Sequence, residues 1–262
     1  YNVWAEFKII FYKIKEVSVI KSENTLGEVE ALIYITGDKH RVFDSIEEFC
    51  DIYETSESDI LIILGDAGIN FYLDASDQEI KEDLNQLPIT ILCIHGNHEE
   101  RPEEVGGYEI KTWNEGEVYY EEDYPNILFA KDGEIYDFNG KKAIAIGGAY
   151  SIDKYYRISG NLPWFPSEQP DECTKARVES KLESVNWKVD FVLSHTCPLR
   201  YMPVDMFLPN IDQSKIDIST EEWLSRIEEK LCYDVWYFGH YHADRYIGQA
   251  VLLYEDILEL GE

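Results

Sequence analysis

Six short apolar runs in this chain are continuous, and this pattern constrains the fold more than any other feature of the sequence. A strand with one face in water alternates apolar and polar residues, whereas a strand covered on both faces is apolar throughout. The runs therefore predict buried strands in a sheet that is covered on both sides. They lie at residues 31–36, 59–64, 88–94, 142–147, 190–194 and 234–238.

Segments with helical periodicity separate several of these runs. Apolar residues recur three or four positions apart over residues 43–53, and residues 171–185 and 220–231 have a similar amphipathic pattern. Strands that alternate with helices are typical of an α/β layered fold.

Turn signals predict that the sheet is mixed. Between residues 126 and 146, Asp132-Gly133 and Asn139-Gly140 mark the two turns of an antiparallel meander. The C-terminal segment, YIGQAVLLYEDILEL, is interpreted as closing strands.

Length and composition are those of one large domain. The chain has 262 residues, of which 45% are hydrophobic and 14% aromatic, enough to bury a sizeable core. We expect a single domain over residues 31–262, with an ordered loop or lid at 150–170. Residues 1–30 fit the α/β pattern poorly and are an edge strand, a packed extension or an upstream addition.

The net charge and the placement of the cysteines indicate which partners and which location to expect. The net charge of -29, without a basic stripe, repels polyanions, so nucleic acid is not an expected partner. The five cysteines are scattered and include no C-x-x-C pair, which predicts reduced thiols and a cytoplasmic location. Neither an apolar run of membrane-spanning length nor a signal-peptide pattern is present, so no membrane partner is expected.

Polar residues follow five of the apolar runs, usually beside a glycine. In an open α/β sheet, the carboxyl ends of the strands meet at one edge, so these residues are expected to converge. Each motif alone is most simply a turn or a packed histidine, but five in register with strand ends predict a metal site. The motifs are GDKH at 37–40, GD at 65–66, HGNHE at 95–99, SHT at 194–196 and GHYH at 239–242.

The order D-x-H, G-D, G-N-H-E, H, G-H-x-H resembles that of the calcineurin-like metallophosphoesterase superfamily, over residues 33–242. The resemblance implies a layered α/β fold with mixed sheets flanked by helices, and two divalent metal ions. The donor types suit Mn²⁺, Fe or Zn²⁺ equally. The resemblance also implies the ligands: Asp38, His40 and His242 for one ion, Asn97, His195 and His240 for the other, and Asp66 bridging both.

The same resemblance implies a hydrolase that attacks a phosphate ester with a metal-bridging hydroxide. His98 would protonate the leaving oxygen or steady the transition state; the alternative is that it fixes Asn97. Residues 147–157 and 164–170 look like a segment of bacterial and phage members. Arg157 in that segment, Arg41 and Tyr150 are candidates for contacts with the substrate.

The predicted substrate is a phosphate ester, borne by a small molecule, a nucleotide or a protein. The protein serine/threonine phosphatase branch typically reads G-D-x-x-D-R, whereas Gly68, Ile69 and Asn70 follow Ala67 here, so that branch is not expected. Two alternatives are a nuclease of the same superfamily, which the acidic surface disfavours, and a catalytically silent scaffold on the same fold. Retention of all seven ligand types and of His98 argues against the scaffold.

Overall fold

The continuous apolar runs form the central strands of two sheets, three in each. A computed structural model describes residues 31–207, 209 and 211–261 of the chain; residues 1–30, whose status the sequence left open, lie outside the described residues. The first sheet has seven strands in the order β13-β1-β2-β3-β6-β5-β4. Its strands are β1 (Ile33–Thr36), β2 (Ile60–Ile63), β3 (Thr90–Cys93), β4 (Glu109–Trp113), β5 (Gly116–Tyr120), β6 (Ile127–Ala130) and β13 (Leu258–Glu259).

The second sheet has six strands in the order β11-β12-β10-β9-β8-β7. Its strands are β7 (Ile135–Phe138), β8 (Lys141–Ile146), β9 (Phe191–Ser194), β10 (Val235–Phe238), β11 (Arg245–Ile247) and β12 (Ala250–Leu252). The central strands of each sheet run parallel, and antiparallel strands pair at the edges. The prediction of mixed sheets is therefore confirmed.

The two sheets pack face to face, and helices cover their outer faces. The helices are α1 (Asp44–Tyr53), α2 (Ala75–Leu84), α3 (Lys154–Gly160), α4 (Glu172–Ser184) and α5 (Ser219–Glu228). Between the sheets, Ile35 and Ile62 of the first share a buried cluster with Leu193 of the second. The helices α1 and α2 pack on the first sheet, and α4 and α5 on the second. Period-two alternation sends neighbouring residues of each strand to opposite faces, and both faces are apolar.

One expectation about strand pairing was wrong. The turn at Asp132-Gly133 does not close a hairpin: β6 pairs within the first sheet, and the chain then crosses to the second sheet to form β7. Turn residues specify a reversal but not the sheet that the next strand joins. The predicted closing strands do form near the C-terminus: β11 and β12 join the second sheet, and β13 pairs with β1 of the first.

Two helices, α2 and α3, could not be recognised from the sequence patterns. The helix α2 buries Asp77 and Lys81 alongside Leu84, so its inner face is not an apolar stripe. The helix α3 lies within the segment predicted as an ordered loop or lid. Among the described residues, no helix combines the length and apolarity needed to cross a membrane.

Candidate metal centre

The loops after β1 and β10 bring three predicted ligands together. The Nε2 atoms of His40 and His242 lie 2.9 Å apart, although the two residues belong to loops of different sheets. Asp38 Oδ2 lies 3.2 Å from His242 Nε2 and 3.7 Å from His40 Nε2. These three side chains therefore present one oxygen and two nitrogen atoms to a common point.

A second group forms where β3 and β9 end. Asn97 Oδ1 lies 2.8 Å from His195 Nε2, and the ring of His240 is 4.9 Å from the ring of His195. His195 is fully buried, and its Nδ1 faces the carbonyl oxygen of Leu64 at 2.8 Å. That carbonyl favours the tautomer with the proton on Nδ1, which leaves Nε2 free to bind a cation.

Asp66 lies between the two groups. Its Oδ2 is 3.9 Å from His40 Nε2 and 3.6 Å from His195 Nε2. Its other oxygen, Oδ1, accepts a hydrogen bond from the backbone amide of His98 at 2.7 Å. One carboxylate thus faces both groups of predicted ligands.

The charges at this site fit a bound divalent cation. Asp38 and Asp66 are 2% and 1% exposed, and burying an uncompensated carboxylate is costly. Asp38 Oδ2 is buried and makes no hydrogen bond within the part of the chain that the structure describes. Three overlapping sets of three residues offer carboxylate oxygens and imidazole nitrogens. Within each set, these atoms lie within 4.8 Å of one another. Oxygen and nitrogen donors of these types suit Mn²⁺, Fe and Zn²⁺.

The carboxylates of the site and burial shift the pKa values of three imidazoles. Asp38, whose Oδ2 lies 3.2 Å from Nε2 of His242, raises the pKa of that imidazole. Burial acts to lower the pKa of His195, but Asp66 and Asp38 outweigh it and the pKa is raised. Burial, reinforced by His195, lowers the pKa of His240 to about 3, which favours the neutral, ligating form of that ring. The site therefore favours the charged form of His195 and His242 and the neutral form of His240.

The loops hold several of these residues in left-handed backbone conformations. The φ angles are 44° at His40, 47° at Asp66, 70° at His240 and 49° at His242. Such conformations are costly for residues other than glycine and cluster at functional sites. This strain is an independent sign that the loops are built around a function.

Two glycines allow the loops to approach the carboxylates. A Cβ atom on Gly96 would lie 2.1 Å from both the backbone nitrogen and Oδ1 of Asp66. A Cβ atom on Gly239 would lie 2.3 Å from Asp38 Oδ1, which accepts a hydrogen bond from the backbone amide of His240. Any side chain at either position would displace a predicted ligand.

Glu99 has a role that sequence reasoning did not find. Its carboxylate is 1% exposed and accepts hydrogen bonds from the backbone amides of Gly68 at 2.9 Å and Gly96 at 3.0 Å. It therefore joins the loop after β2 to the loop after β3. Burial, together with Asp66, raises the pKa of Glu99 to about 7. The sequence signal was its place in the HGNHE motif, but its partners are visible only in the fold.

His98 stands beside the site with Arg157. The guanidinium Nη2 of Arg157 contacts both ring nitrogens of His98, with Nε2 at 3.2 Å and Nδ1 closer. Arg157 is buried; its Nε donates to Asp153 Oδ2 at 2.7 Å and its Nη1 to the carbonyl oxygen of Pro163 at 3.1 Å. The His98 ring also meets the His40 ring edge to face at 5.1 Å. The helix α3 thus delivers a guanidinium to the rim of the candidate metal centre.

The other two predicted substrate contacts lie in different surroundings. The guanidinium of Arg41 donates to the carbonyl oxygens of Gly68 at 2.8 Å and Ser76 at 3.0 Å, and it forms an ion pair with Asp77. Arg41 therefore fastens the start of α2 to the loops after β1 and β2. Tyr150 lines the same cleft as the predicted ligands.

Comparison with known proteins gives one match to a family model, calcineurin-like phosphoesterase, over residues 31–244. No curated protein sequence matches the chain. Among solved structures, the phosphopantetheinyl hydrolase PptH from Mycobacterium tuberculosis is similar, with 16% identity, a TM-score of 0.46, and coverage of 86% of this chain and 88% of that one. The Thermus thermophilus protein TT1561 is 10% identical, with a TM-score of 0.48 and coverage of 86% and 89%.

Proposed function

The chain belongs to the calcineurin-like phosphoesterase family, and on that premise we propose that it is a hydrolase of phosphate esters with two divalent metal ions. The observation that carries the proposal is the place of Asp66. Its Oδ2 faces His40 of one group and His195 of the other at 3.9 and 3.6 Å. A carboxylate between two sets of donors suits a dinuclear centre, because it could serve both ions.

Under this proposal, every predicted ligand serves at least one ion. Bound ions would activate water and neutralise the phosphoryl oxygens. The chain supplies Asp38, His40 and His242 to one ion, Asn97, His195 and His240 to the other, and Asp66 to both. The amide of Asn97 is oriented because its Nδ2 donates to Ser151 Oγ at 2.8 Å.

His98 and Arg157 would act on the ester itself. A histidine beside the reacting phosphate can pass a proton to the leaving oxygen near neutral pH. Arg157 offers a planar set of donors that matches two phosphoryl oxygens. Its contact with His98 supports a position of the guanidinium beside the ester, so we favour Arg157 over Arg41 as the phosphate contact. We further propose a cytoplasmic location, because all five cysteines are free thiols.

A direct assay tests this proposal. The protein is stripped with EDTA, reloaded with Mn²⁺, Fe²⁺ or Zn²⁺, and offered 4-nitrophenyl phosphate and bis(4-nitrophenyl) phosphate. We expect two bound ions per chain, loss of turnover with EDTA, and its recovery on reloading. The relative rates on the monoester and the diester then give the ester class. If loaded protein with both ions bound turns over neither ester, the proposed function is refuted.

A further inference from the structure

The metal centre opens into a cleft that is much larger than a phosphate group. The cavity has a volume of about 550 Å³, within the range of pockets that bind drug-sized molecules. Predicted ligands and His98 line one end of it. The remaining volume is large enough to hold a further part of the ligand.

The other end of the cleft is apolar. Most of its wall comes from the segment before α5, which contributes Met202, Phe207, Ile216 and Ile218. The Phe207 ring stacks on Tyr241, with centroids 6.2 Å apart and planes at 18°. The ring of Phe207 is only half-buried, so part of its surface faces the cleft. Apolar side chains that line a cavity next to a reactive centre form a surface for an apolar group.

Apart from the predicted ligands and His98, the charged side chains that line the cleft are all acidic. They are Asp153, Asp217 and Glu221, and no lysine or arginine lines the cleft among the described residues. These carboxylates would repel a second anionic group on the ligand, such as a further phosphate or a carboxylate.

We propose that the substrate is a phosphate ester with an uncharged apolar body, aromatic or alkyl, that occupies this cleft while its phosphate lies at the metal centre. The inference rests on the proposed function and names the substrate class of the same site. It also makes Phe207 a specificity residue, since this residue lines the apolar end and is not a predicted ligand.

The first test compares three aryl phosphates as substrates of the metal-loaded protein. Phenyl phosphate and 1-naphthyl phosphate have leaving groups of similar acidity, so the second ring reports on binding in the cleft. We expect kcat/KM to be about tenfold higher for 1-naphthyl phosphate, since burying apolar area of that size supplies such a factor. A 1-naphthyl phosphate with a carboxylate on its second ring should lose most of this gain. Equal rates on all three esters would overturn the proposal.

A pair of variants assigns the preference to the cleft. Phe207→Ser should lower the ratio of kcat/KM for naphthyl over phenyl phosphate to about threefold or less. Val204→Ser is the matched control, because Val204 lies in the same segment but is 67% exposed. It should retain the ratio of the unmodified protein. Circular dichroism establishes that both variants fold, and equal ratios in the two variants would contradict the assignment.

Binding of 1-naphthol, followed by its fluorescence, separates this inference from the proposed function. The metal-loaded protein should bind 1-naphthol about fivefold more tightly than Phe207→Ser does, whether or not esters are turned over. Such binding without any ester hydrolysis would refute the proposed function and support the apolar cleft. Hydrolysis of phenyl phosphate without Phe207-dependent binding would do the reverse.

Discussion

The backbone amide of His98 donates a hydrogen bond to Oδ1 of Asp66 at 2.7 Å, while Oδ2 of the same carboxylate faces His40 and His195. The carboxylate that lies between the two groups of donors therefore also fixes the loop of the candidate proton donor. Its two oxygens have different tasks, and a substitution at Asp66 should affect both.

Asp66→Asn should abolish turnover without unfolding the chain. The amide keeps the size of the side chain but removes the negative charge between the two predicted ions, and losing several kcal/mol of electrostatic stabilisation slows the reaction about a thousandfold. Turnover and bound metal per chain are measured together with circular dichroism. Asp74→Asn is the control, since Asp74 caps α2 by accepting from Ser76 and asparagine caps equally well. Retained activity in Asp66→Asn would rule out the bridging role.

His98→Gln should distinguish proton donation from a role in positioning Asn97. If His98 protonates the leaving oxygen, kcat should fall about a hundredfold on phenyl phosphate and less than about tenfold on 4-nitrophenyl phosphate, whose leaving group needs little protonation. The metal content should be unchanged. Equal losses on the two esters, accompanied by a lower metal content, would show instead that His98 supports Asn97.

Glu99→Gln should destabilise the fold although the substitution is nearly isosteric. Glu99 accepts two backbone amides, from Gly68 and Gly96, whereas a glutamine has only one acceptor oxygen and turns an NH₂ group towards the other amide. Leaving one buried amide unsatisfied costs about 1–3 kcal/mol in the free energy of unfolding. Urea titration measures this as a lower midpoint at unchanged slope. The exposed Glu103→Gln should change the free energy by less than about 0.5 kcal/mol.

Asp171 should stabilise α4 in a pH-dependent way. Its Oδ1 accepts the backbone amide of Thr174 at 2.7 Å, and this hydrogen bond lowers its pKa below the ordinary value of 3.8. The stabilisation is therefore complete above the unfolded pKa and is lost as the pH falls through the folded one. Asp171→Ala should cost about 1 kcal/mol at pH 7.

The matched substitution Asp171→Asn keeps the cap but does not titrate. Urea unfolding of the unmodified protein and both variants between pH 5 and pH 3 measures the effect. The advantage of the unmodified protein over Asp171→Ala should shrink as the pH falls, whereas that of Asp171→Asn should not. A pH-independent advantage of aspartate over alanine would contradict the role of the charged cap.

The sequence predicted the convergence of the site because two simple rules apply to it. Continuous apolar runs identify the buried strands, and parallel strands place the residues that follow them at one edge of their own sheet. The packing of the two sheets then brings these edges together. The separation of 2.9 Å between His40 and His242 confirms that these loops meet. The assignment of residues to individual metal ions stays a prediction.

Features that depend on partners distant in sequence were not predictable in this way. The carboxylate of Glu99 satisfies amides in two loops, and no local pattern specifies that pair. The helix α2 has a buried ion pair where a stripe of apolar residues would be the expected signal: Lys81 contacts Glu121 of a distant turn. The crossing between sheets at Asp132-Gly133 is decided by tertiary packing, since the local turn residues fit a hairpin equally well.

The Nε2 atoms of His40 and His242 are in contact, although the two residues lie 202 positions apart and follow strands of different sheets. An ion held by this pair would link the two sheets across their interface. Pulling the sheets apart would then require rupture of metal–ligand bonds as well as exposure of the apolar interface. Loss of the ion would first weaken the contacts between the two sheets beside the site. The hydrogen bonds between the strands of each sheet would stay intact.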